Sequence, residues 1–289
     1  NTCYLINEMA IKTGYSFHAF HVPKTVDNDL LVTDHCPGFG TAGKFVACAL
    51  MGDDLDNRAL AGVKIDVIMG RHAGFLTGAS MLGKQRDDDG PHLIYLPERP
   101  VSMEKFLADV DAVYKKLGRC VIAVSEGMMA DEKTTWAEKL AEDAERDAHG
   151  NVQLSGTGAL ADFLAGQVKS NLKIKRVRAD TFGYLQRSFA GLQSEVDRDE
   201  AAECGRQAVK MSLEYDNGSV AMKRTGNGDN YGVEYFRTDL ANVAEHTKSV
   251  PDEFINADGN GMTDAFVEYA KPLVGKLPKT EYLGNFPRV

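Results

Sequence analysis

The chain has 289 residues, 43% hydrophobic and 26% charged, with a formal net charge of −9 at pH 7. That composition excludes a disordered or fibrous chain, and the acidic balance argues against general affinity for nucleic acid or an anionic membrane. No apolar run approaches the roughly 18 residues needed to span a membrane, and no charged-then-apolar leader opens the sequence. Five widely spaced cysteines, Cys3, Cys36, Cys48, Cys120 and Cys204, form no CxxC pair. They indicate neither a disulfide framework nor a zinc site, and fit reduced thiols in a cytoplasmic protein. The length suits two compact units, and the sequence opens without Met in a helical pattern, so upstream residues are expected. An acidic protein that handles phosphates must gather its cations locally.

In chain order, residues 3–13 read as a helix ending at Gly14, and 17–22 as a strand. A turn-rich stretch over 23–38 precedes a helix predicted over 40–51. A short apolar run, 65–69, enters Gly70-Arg71-His72-Ala73-Gly74, followed by a helical pattern to about Leu82. Residues 93–96 form a strand stopped by Pro97-Glu98, and apolar spacing predicts a helix from Ser102 to Leu117 that Gly118 ends. Residues 120–124 are continuously apolar, as in a strand buried on both faces of a parallel sheet. The charged stretch 131–149 reads as a solvated helix closed by Gly150, 159–172 as an amphipathic helix, and 175–182 as a half-exposed strand. A helix over about 199–215, two short strands and a helix over 263–274 complete the chain.

Strands alternate with helices almost throughout, which predicts an α/β fold with mainly parallel sheets. Ligands of such sheets sit beyond the carboxyl ends of the strands. That rule selects residues 24–29, 70–74, 97–98 and 125–127.

In Pro23-Lys24-Thr25-Val26-Asp27-Asn28-Asp29, an extended chain puts Asp27 and Asp29 on one side with Lys24 close by. Two carboxylates and a cation suit phosphoryl transfer: one deprotonates an alcohol, one helps hold hydrated magnesium, and the Lys offsets charge on the transferred group. An Asx-rich turn with a surface Lys is the alternative. In Met69-Gly70-Arg71-His72-Ala73-Gly74, glycines allow close backbone approach and Arg71 offers a forked donor for phosphate, or else the segment is a tight connection with a solvated Arg. Glu98 could accept bonds from sugar hydroxyls or be a loop carboxylate. Arg178, Tyr184 and Arg187 could clamp a phosphate monoester or be surface charge. His18, His21 and His35 flank the Asp27 turn, but their spacing fits no standard ligand pattern.

Together these segments resemble the phosphofructokinase family. The likeness lies in four motifs in order: residues 23–29 resemble its catalytic turn, 69–71 its substrate and phosphate turn, 97–98 its sugar-binding strand end, and 183–187 its 6-phosphate loop. Pro251-Asp252-Glu253-Phe254-Ile255-Asn256 is similar to the tail of pyrophosphate-using members. The resemblance implies two similar Rossmann-like three-layer domains with the active site in the cleft between them. We expect a donor-side domain from 1–38 plus 188–245 and a sugar-phosphate domain from 39–187 plus 246–289. It implies phosphorylation of fructose 6-phosphate at its 1-hydroxyl, with Mg2+ as cofactor.

By the same resemblance Asp27 is the base, Lys24 acts on the transferred group, Thr25 joins the turn around the reacting hydroxyl, and Asp29 helps position the metal indirectly. Met69, Gly70 and Arg71 would contact sugar and phosphate, Glu98 the sugar hydroxyls, and Arg178, Tyr184 and Arg187 the 6-phosphate. The family's counterpart of Arg178 reaches in from a neighbouring subunit, so a homo-oligomer is implied. Two departures stand out: the family's Gly-Gly-Asp loop, with the main magnesium carboxylate, belongs upstream of Asn1, and Gly62 replaces an arginine common in the family, with Lys64 as a possible substitute. Lys24 favours pyrophosphate as donor, since ATP-using relatives usually carry glycine there. An ATP-dependent enzyme and a non-catalytic ligand-sensing subunit on the same fold are the alternatives.

Overall fold

The computed structural model describes residues 1–140, 158–244 and 246–281. The chain opens with α1 (Thr2–Thr13), which ends on Gly14 in a left-handed conformation, and β1 (Ala19–His21). Then follow α2 (Phe39–Leu60), β2 (Gly62–Ile68), the one-turn α3 (Phe75–Gly78), β3 (Leu93–Tyr95), α4 (Met103–Leu117), β4 (Arg119–Ser125) and α5 (Trp136–Leu140). After residue 157 come α6 (Ala159–Leu172), β5 (Val177–Thr181), α7 (Glu195–Met211), β6 (Asn217–Gly226), β7 (Gly232–Thr238), α8 (Leu240–Val243) and α9 (Asp264–Val274).

Two sheets result. The larger has the order β3-β4-β2-β5 with every pairing parallel, and the smaller has the order β1-β6-β7. β1 pairs with β6 in parallel, whereas β6 and β7 form an antiparallel hairpin. The fold is therefore α/β, with one parallel and one mixed sheet. The two consecutive strands expected before the last helix are this hairpin, joined by the short 3-10 turn Gly228–Asn230.

The larger sheet is buried on both faces, which is why its strands read as continuous apolar runs. Ile68, Ile94 and Val121 face Phe39, Val46 and Leu50 of α2 and Phe266 and Leu273 of α9. Val63, Ile65, Val67, Ile122 and Val124 face Phe106 and Val110 of α4 and Leu160, Leu164 and Val168 of α6. A 15-residue helix such as α4 is marginal alone in water, so burying this face rather than propensity decides that it forms. Ser102 caps α4 by accepting the Lys105 N–H at 3.2 Å. On the smaller sheet, Cys204 and Ala208 of α7 pack on Val220 and Met222 of β6.

Several boundaries depart from the sequence reading. The helix expected over 40–51 runs on to Leu60, through a stretch rich in Gly, Asp and Asn. It continues because those polar side chains have tertiary partners. Buried Asp54 receives the Gly90 N–H at 2.9 Å and bonds Arg58 and Arg119, while Asn57 donates to the Gly62 carbonyl at 3.2 Å. The helix expected to reach Leu82 is one α-turn and then the 3-10 turn Ala79–Gly83. α7 starts at Glu195, where Ser194 caps it, four residues before the expected start. Of the charged stretch 131–149, residues 131–133 form bends, Thr135 makes an antiparallel bridge to Met129, Trp136–Leu140 is helical, and the remainder lies outside the described residues.

Candidate active site

The turn after β1 is held by its own polar groups. The Asp27 N–H donates to Thr25 Oγ1 at 3.1 Å, and the Asn28 N–H to the Thr25 carbonyl at 3.4 Å. Asn28 adopts φ +58°, a left-handed conformation that Asn tolerates better than most residues. Its side chain is fully buried: Oδ1 accepts the Cys36 N–H at 2.9 Å and Nδ2 donates to the Tyr269 hydroxyl at 2.7 Å. The Asp29 carbonyl accepts the Lys248 N–H at 2.7 Å. With Asn28 anchored inward, the carboxylates of Asp27 and Asp29 are close enough to act on each other.

That proximity sets the chemistry of Asp27. Burial pushes its pKa up, the negative charges of Asp29 and Glu126 add to the shift, and Arg71 and Arg187 oppose it, leaving it at about 6. A carboxyl poised there is ionised at neutral pH yet basic enough to take a proton.

Arg71 and Glu126 come from the turns that follow β2 and β4, and these two turns pack backbone against backbone. Gly70 has φ +141°, and a Cβ there would lie 2.6 Å from the Ala73 carbonyl oxygen. A Cβ on Gly127 would lie 2.0 Å from the Arg71 carbonyl oxygen, so only glycine permits the contact. Ser125 Oγ donates to the Gly70 carbonyl, and the Glu126 N–H donates to the Ile68 carbonyl at 2.8 Å.

After β3, Glu98 Oε1 accepts the N–H groups of Gly74 at 3.0 Å and Val250 at 2.8 Å. Its Oε2 is buried and has no hydrogen-bond partner among the described residues, and burial raises the pKa of the group. An unmet buried oxygen is costly, and a ligand hydroxyl would satisfy it. After β5, buried Gln186 accepts the Met69 N–H at 3.1 Å and donates to the Gly183 carbonyl at 2.9 Å. That fixes the loop 183–187 beside the Met69 turn and leaves Tyr184 and Arg187 exposed, with the Arg187 guanidinium 4.5 Å from the Tyr184 ring centre. A cavity of about 380 Å³ opens here, lined by Lys24, Thr41, Arg187, Asp197 and Arg198 among others.

Turns from both sheets thus bring Asp27, Asp29, Arg71 and Arg187 together, with Lys24 at the cavity edge. Met69, Gly70 and Glu98 are tied to this group by the bonds above. Arg178 stands apart: it is exposed near the start of β5, donates to the Val177 carbonyl at 3.0 Å, and lies about 10 Å of strand before the loop that carries Tyr184. Lys64 is engaged elsewhere, bonded to Asp180, 3.4 Å from Asp66 and 3.7 Å from Asp53. Gly62 has no room for a side chain, since a Cβ would lie 2.4 Å from the Arg176 carbonyl oxygen. His18, His21 and His35 each bond separate partners.

Sequence reasoning selected Glu126 only as part of the strand-end stretch 125–127 and gave it no role, and it missed Lys248 and Tyr269. Lys248 precedes the 251–256 motif by three residues; its buried Nζ donates to the carbonyls of Thr33 at 3.2 Å and Asp34 at 2.8 Å, and burial lowers its pKa. Tyr269 lies 241 residues from Asn28, and no local pattern announces the contact.

Parallel strands ending in glycine-rich and acidic turns, with arginines converging on a poised carboxyl, define a phosphate-handling α/β protein. A model of the phosphofructokinase family matches residues 2–212, and the chain belongs to that family. It is 54% identical over 277 residues to the pyrophosphate–fructose 6-phosphate 1-phosphotransferase of Rhodospirillum rubrum, covering 96% of this chain and 68% of that protein. It is 36% identical over 293 residues to the protein of that name from Halomonas elongata, covering 100% and 68% of the two chains. The crystal structure of a pyrophosphate-dependent phosphofructokinase from Marinobacter aquaeolei superposes with a TM-score of 0.80 at 31% identity, covering 100% of this chain and 68% of that one.

Proposed function

We infer that this chain transfers a phosphoryl group from pyrophosphate to the 1-hydroxyl of fructose 6-phosphate, giving fructose 1,6-bisphosphate and orthophosphate. The observation that carries the reading is Asp27, a carboxyl held at about 6 at a strand end and within reach of two arginines. Asp27 accepts the hydroxyl proton as the sugar oxygen bonds to phosphorus. The bridging P–O bond breaks and orthophosphate leaves. Lys24 and Arg71 offset charge that develops on the transferred group. Thr25 lines the reacting hydroxyl, Met69 and Gly70 shape the sugar site, and the open Oε2 of Glu98 accepts from a sugar hydroxyl. Tyr184 and Arg187 hold the 6-phosphate.

Members of this family use a divalent metal. Among the described residues, no three of His, Cys, Asp or Glu group to hold one alone. Magnesium binds through one or two carboxylates together with substrate phosphates and keeps several waters, and the Asp27–Asp29 turn fits that mode. Asp29 would help hold the ion, which when bound neutralises pyrophosphate charge. Arg178, exposed and remote from Asp27, acts in this reading on the site of a second copy of the chain, making a homo-oligomer. The division into 1–38 plus 188–245 and 39–187 plus 246–289, each built on one sheet, is part of the same reading. So is a cytoplasmic location; among the described residues no helix is long and apolar enough to cross a membrane.

Pyrophosphate and sugar phosphates release comparable free energy on hydrolysis, so the reaction should run both ways. The enzyme supplied with magnesium, fructose 1,6-bisphosphate and orthophosphate should form pyrophosphate at a rate comparable with the forward reaction. Lys24→Gly should cut that rate more than ~10-fold. Turnover with ATP and none with pyrophosphate would overturn the donor and leave the sugar site standing.

A further inference from the structure

We propose that Tyr269, acting through Asn28, sets the position of the Asp27 carboxylate, which makes Tyr269 a positioning residue of the reaction. The inference rests on the phosphotransfer reading above. Asn28 stands between Asp27 and Asp29 in the chain, so its placement governs where both carboxylates point. Its left-handed conformation is one the free chain rarely holds, and it persists because two bonds fix the side chain. One bond is local, to the Cys36 N–H. The other crosses to α9, where the Tyr269 hydroxyl accepts from Asn28 Nδ2 at 2.7 Å and donates to the Asp34 carbonyl at 2.9 Å.

The Tyr269 ring has ordinary aromatic neighbours in Phe75, Phe254 and Phe266. A phenylalanine would serve that packing equally well, and a buried hydroxyl is tolerated only where it is bonded. The hydroxyl therefore marks a requirement other than packing. Burial pushes its pKa far up, so it stays a donor. Phe75 opens the helix after the Gly70–Gly74 turn, so the same ring touches the segment that presents Arg71.

Arg224 locks the tyrosine from the smaller sheet. Its guanidinium lies 4.7 Å from the Tyr269 ring centre, donates to the Tyr269 carbonyl at 3.0 Å, and bonds the Asp34 carboxylate at 3.0 Å. The hydroxyl thus ties Asn28, in the turn carrying the base, to the Asp34 carbonyl that Arg224 helps to hold, while the ring alone meets the segment after the Arg71 turn.

Tyr269→Phe removes one oxygen and keeps the ring. In the full chain, turnover at saturating pyrophosphate and fructose 6-phosphate should fall about 10–100-fold, the scale of a misplaced catalytic group. The KM for fructose 6-phosphate should stay within about twofold. Asn28→Ala should have a similar effect, and the double variant should be no slower than the slower single one, because the two residues act as a unit. A readout that needs no turnover is hydrogen exchange of the Asn28 and Cys36 backbone amides, whose bonds to the Thr25 carbonyl and to Asn28 Oδ1 hold the turn. Tyr269→Phe should speed that exchange about tenfold or more and leave the amides of β2 and β4 as in the native chain. A variant that keeps more than half its turnover, or whose Asn28 and Cys36 amides exchange at the native rate, overturns the positioning role. A native enzyme that moves phosphate from no donor sinks the functional reading, and the exchange rates still decide this one.

Discussion

Asp27 and Asp66 are both aspartates whose proton affinity the fold raises, and burial is the leading cause for each. Their surroundings then diverge. Asp27 sits beyond the end of β1, where Arg71 and Arg187 pull its pKa back to about 6. Asp66 sits within β2 at 0% exposure, with no well-directed hydrogen bond to either oxygen. Asp53 and Asp180 raise it further, and Lys64, 3.4 Å away, opposes them. A perturbed carboxyl is therefore a weak pointer to function. What separates the two is place: one lies beyond a strand end beside two arginines, and the other is sealed inside the sheet away from solvent.

The sharpest test of this difference is Asp27→Asn, which keeps the shape and removes the basicity. Turnover should fall by about 10²–10⁴-fold, the usual worth of a general base. The rate profile of the native enzyme should show an acid limb near about 6, absent from the residual activity of the variant. Stability should move the other way. A carboxyl whose folded pKa is raised above its unfolded value contributes stability that is complete below pH ~4 and lost as pH rises through about 6. The variant escapes that loss, so at pH 7 it should unfold at higher denaturant, by up to ~2–3 kcal/mol. A variant that gained stability but kept its turnover would place Asp27 in the same category as Asp66.

Much of the Asp27 region is legible in the sequence because its determinants are local. Pro23, the paired aspartates, and the glycines of 70–74 announce turns at strand ends, and the caps Ser102 and Gly118 bound α4 directly. The Asp66 region is legible only in part. Asp66 and Lys64 interrupt an apolar strand, but the carboxylates that surround Lys64 come from α2 and β5, 11 residues before it and 116 after it. The second half of α2 was hidden for the same reason: Asp54 and Asn57 look like turn formers until Arg119 and Gly62 supply their partners. The bond of Asn28 to Tyr269 is the extreme case, since the tertiary fold alone brings the two together.

A smaller effect is expected from Arg187, one of the cations that distinguish the two aspartates. It would bind a phosphate that does not react, so ground and transition states should lose similar amounts of binding. Arg187→Ala removes a charge-assisted bond worth about 1.5–3 kcal/mol, which should raise the KM for fructose 6-phosphate about 10–100-fold with turnover reduced much less. Because Arg187 also holds the Asp27 pKa down, the acid limb should move to higher pH. If the KM for pyrophosphate rose instead, the two phosphate sites would be assigned the wrong way round.

The smallest effect belongs to Asp66→Asn, and it is the other half of the comparison. Asn keeps the volume and the neutral character that burial imposes on Asp66. Lys64 loses one partner at 3.4 Å but keeps Asp180 and Asp53, so the cluster should stay closed. As the folded pKa is raised, the native residue loses its contribution as pH rises through that pKa, and the variant does not. At pH 8 the melting temperature should therefore rise by about 2–4 °C, the shift that ~1 kcal/mol makes in a chain of this size. At pH 4 the two proteins should melt together. Turnover and both KM values should stay within about twofold throughout, since Asp66 lies in the middle of β2 and its charged neighbours Lys64, Asp53 and Asp180 are not among the groups that shift Asp27. A tenfold loss of turnover here would show that buried charge in the middle of β2 is coupled to the reaction, and the distinction between the two aspartates would fail.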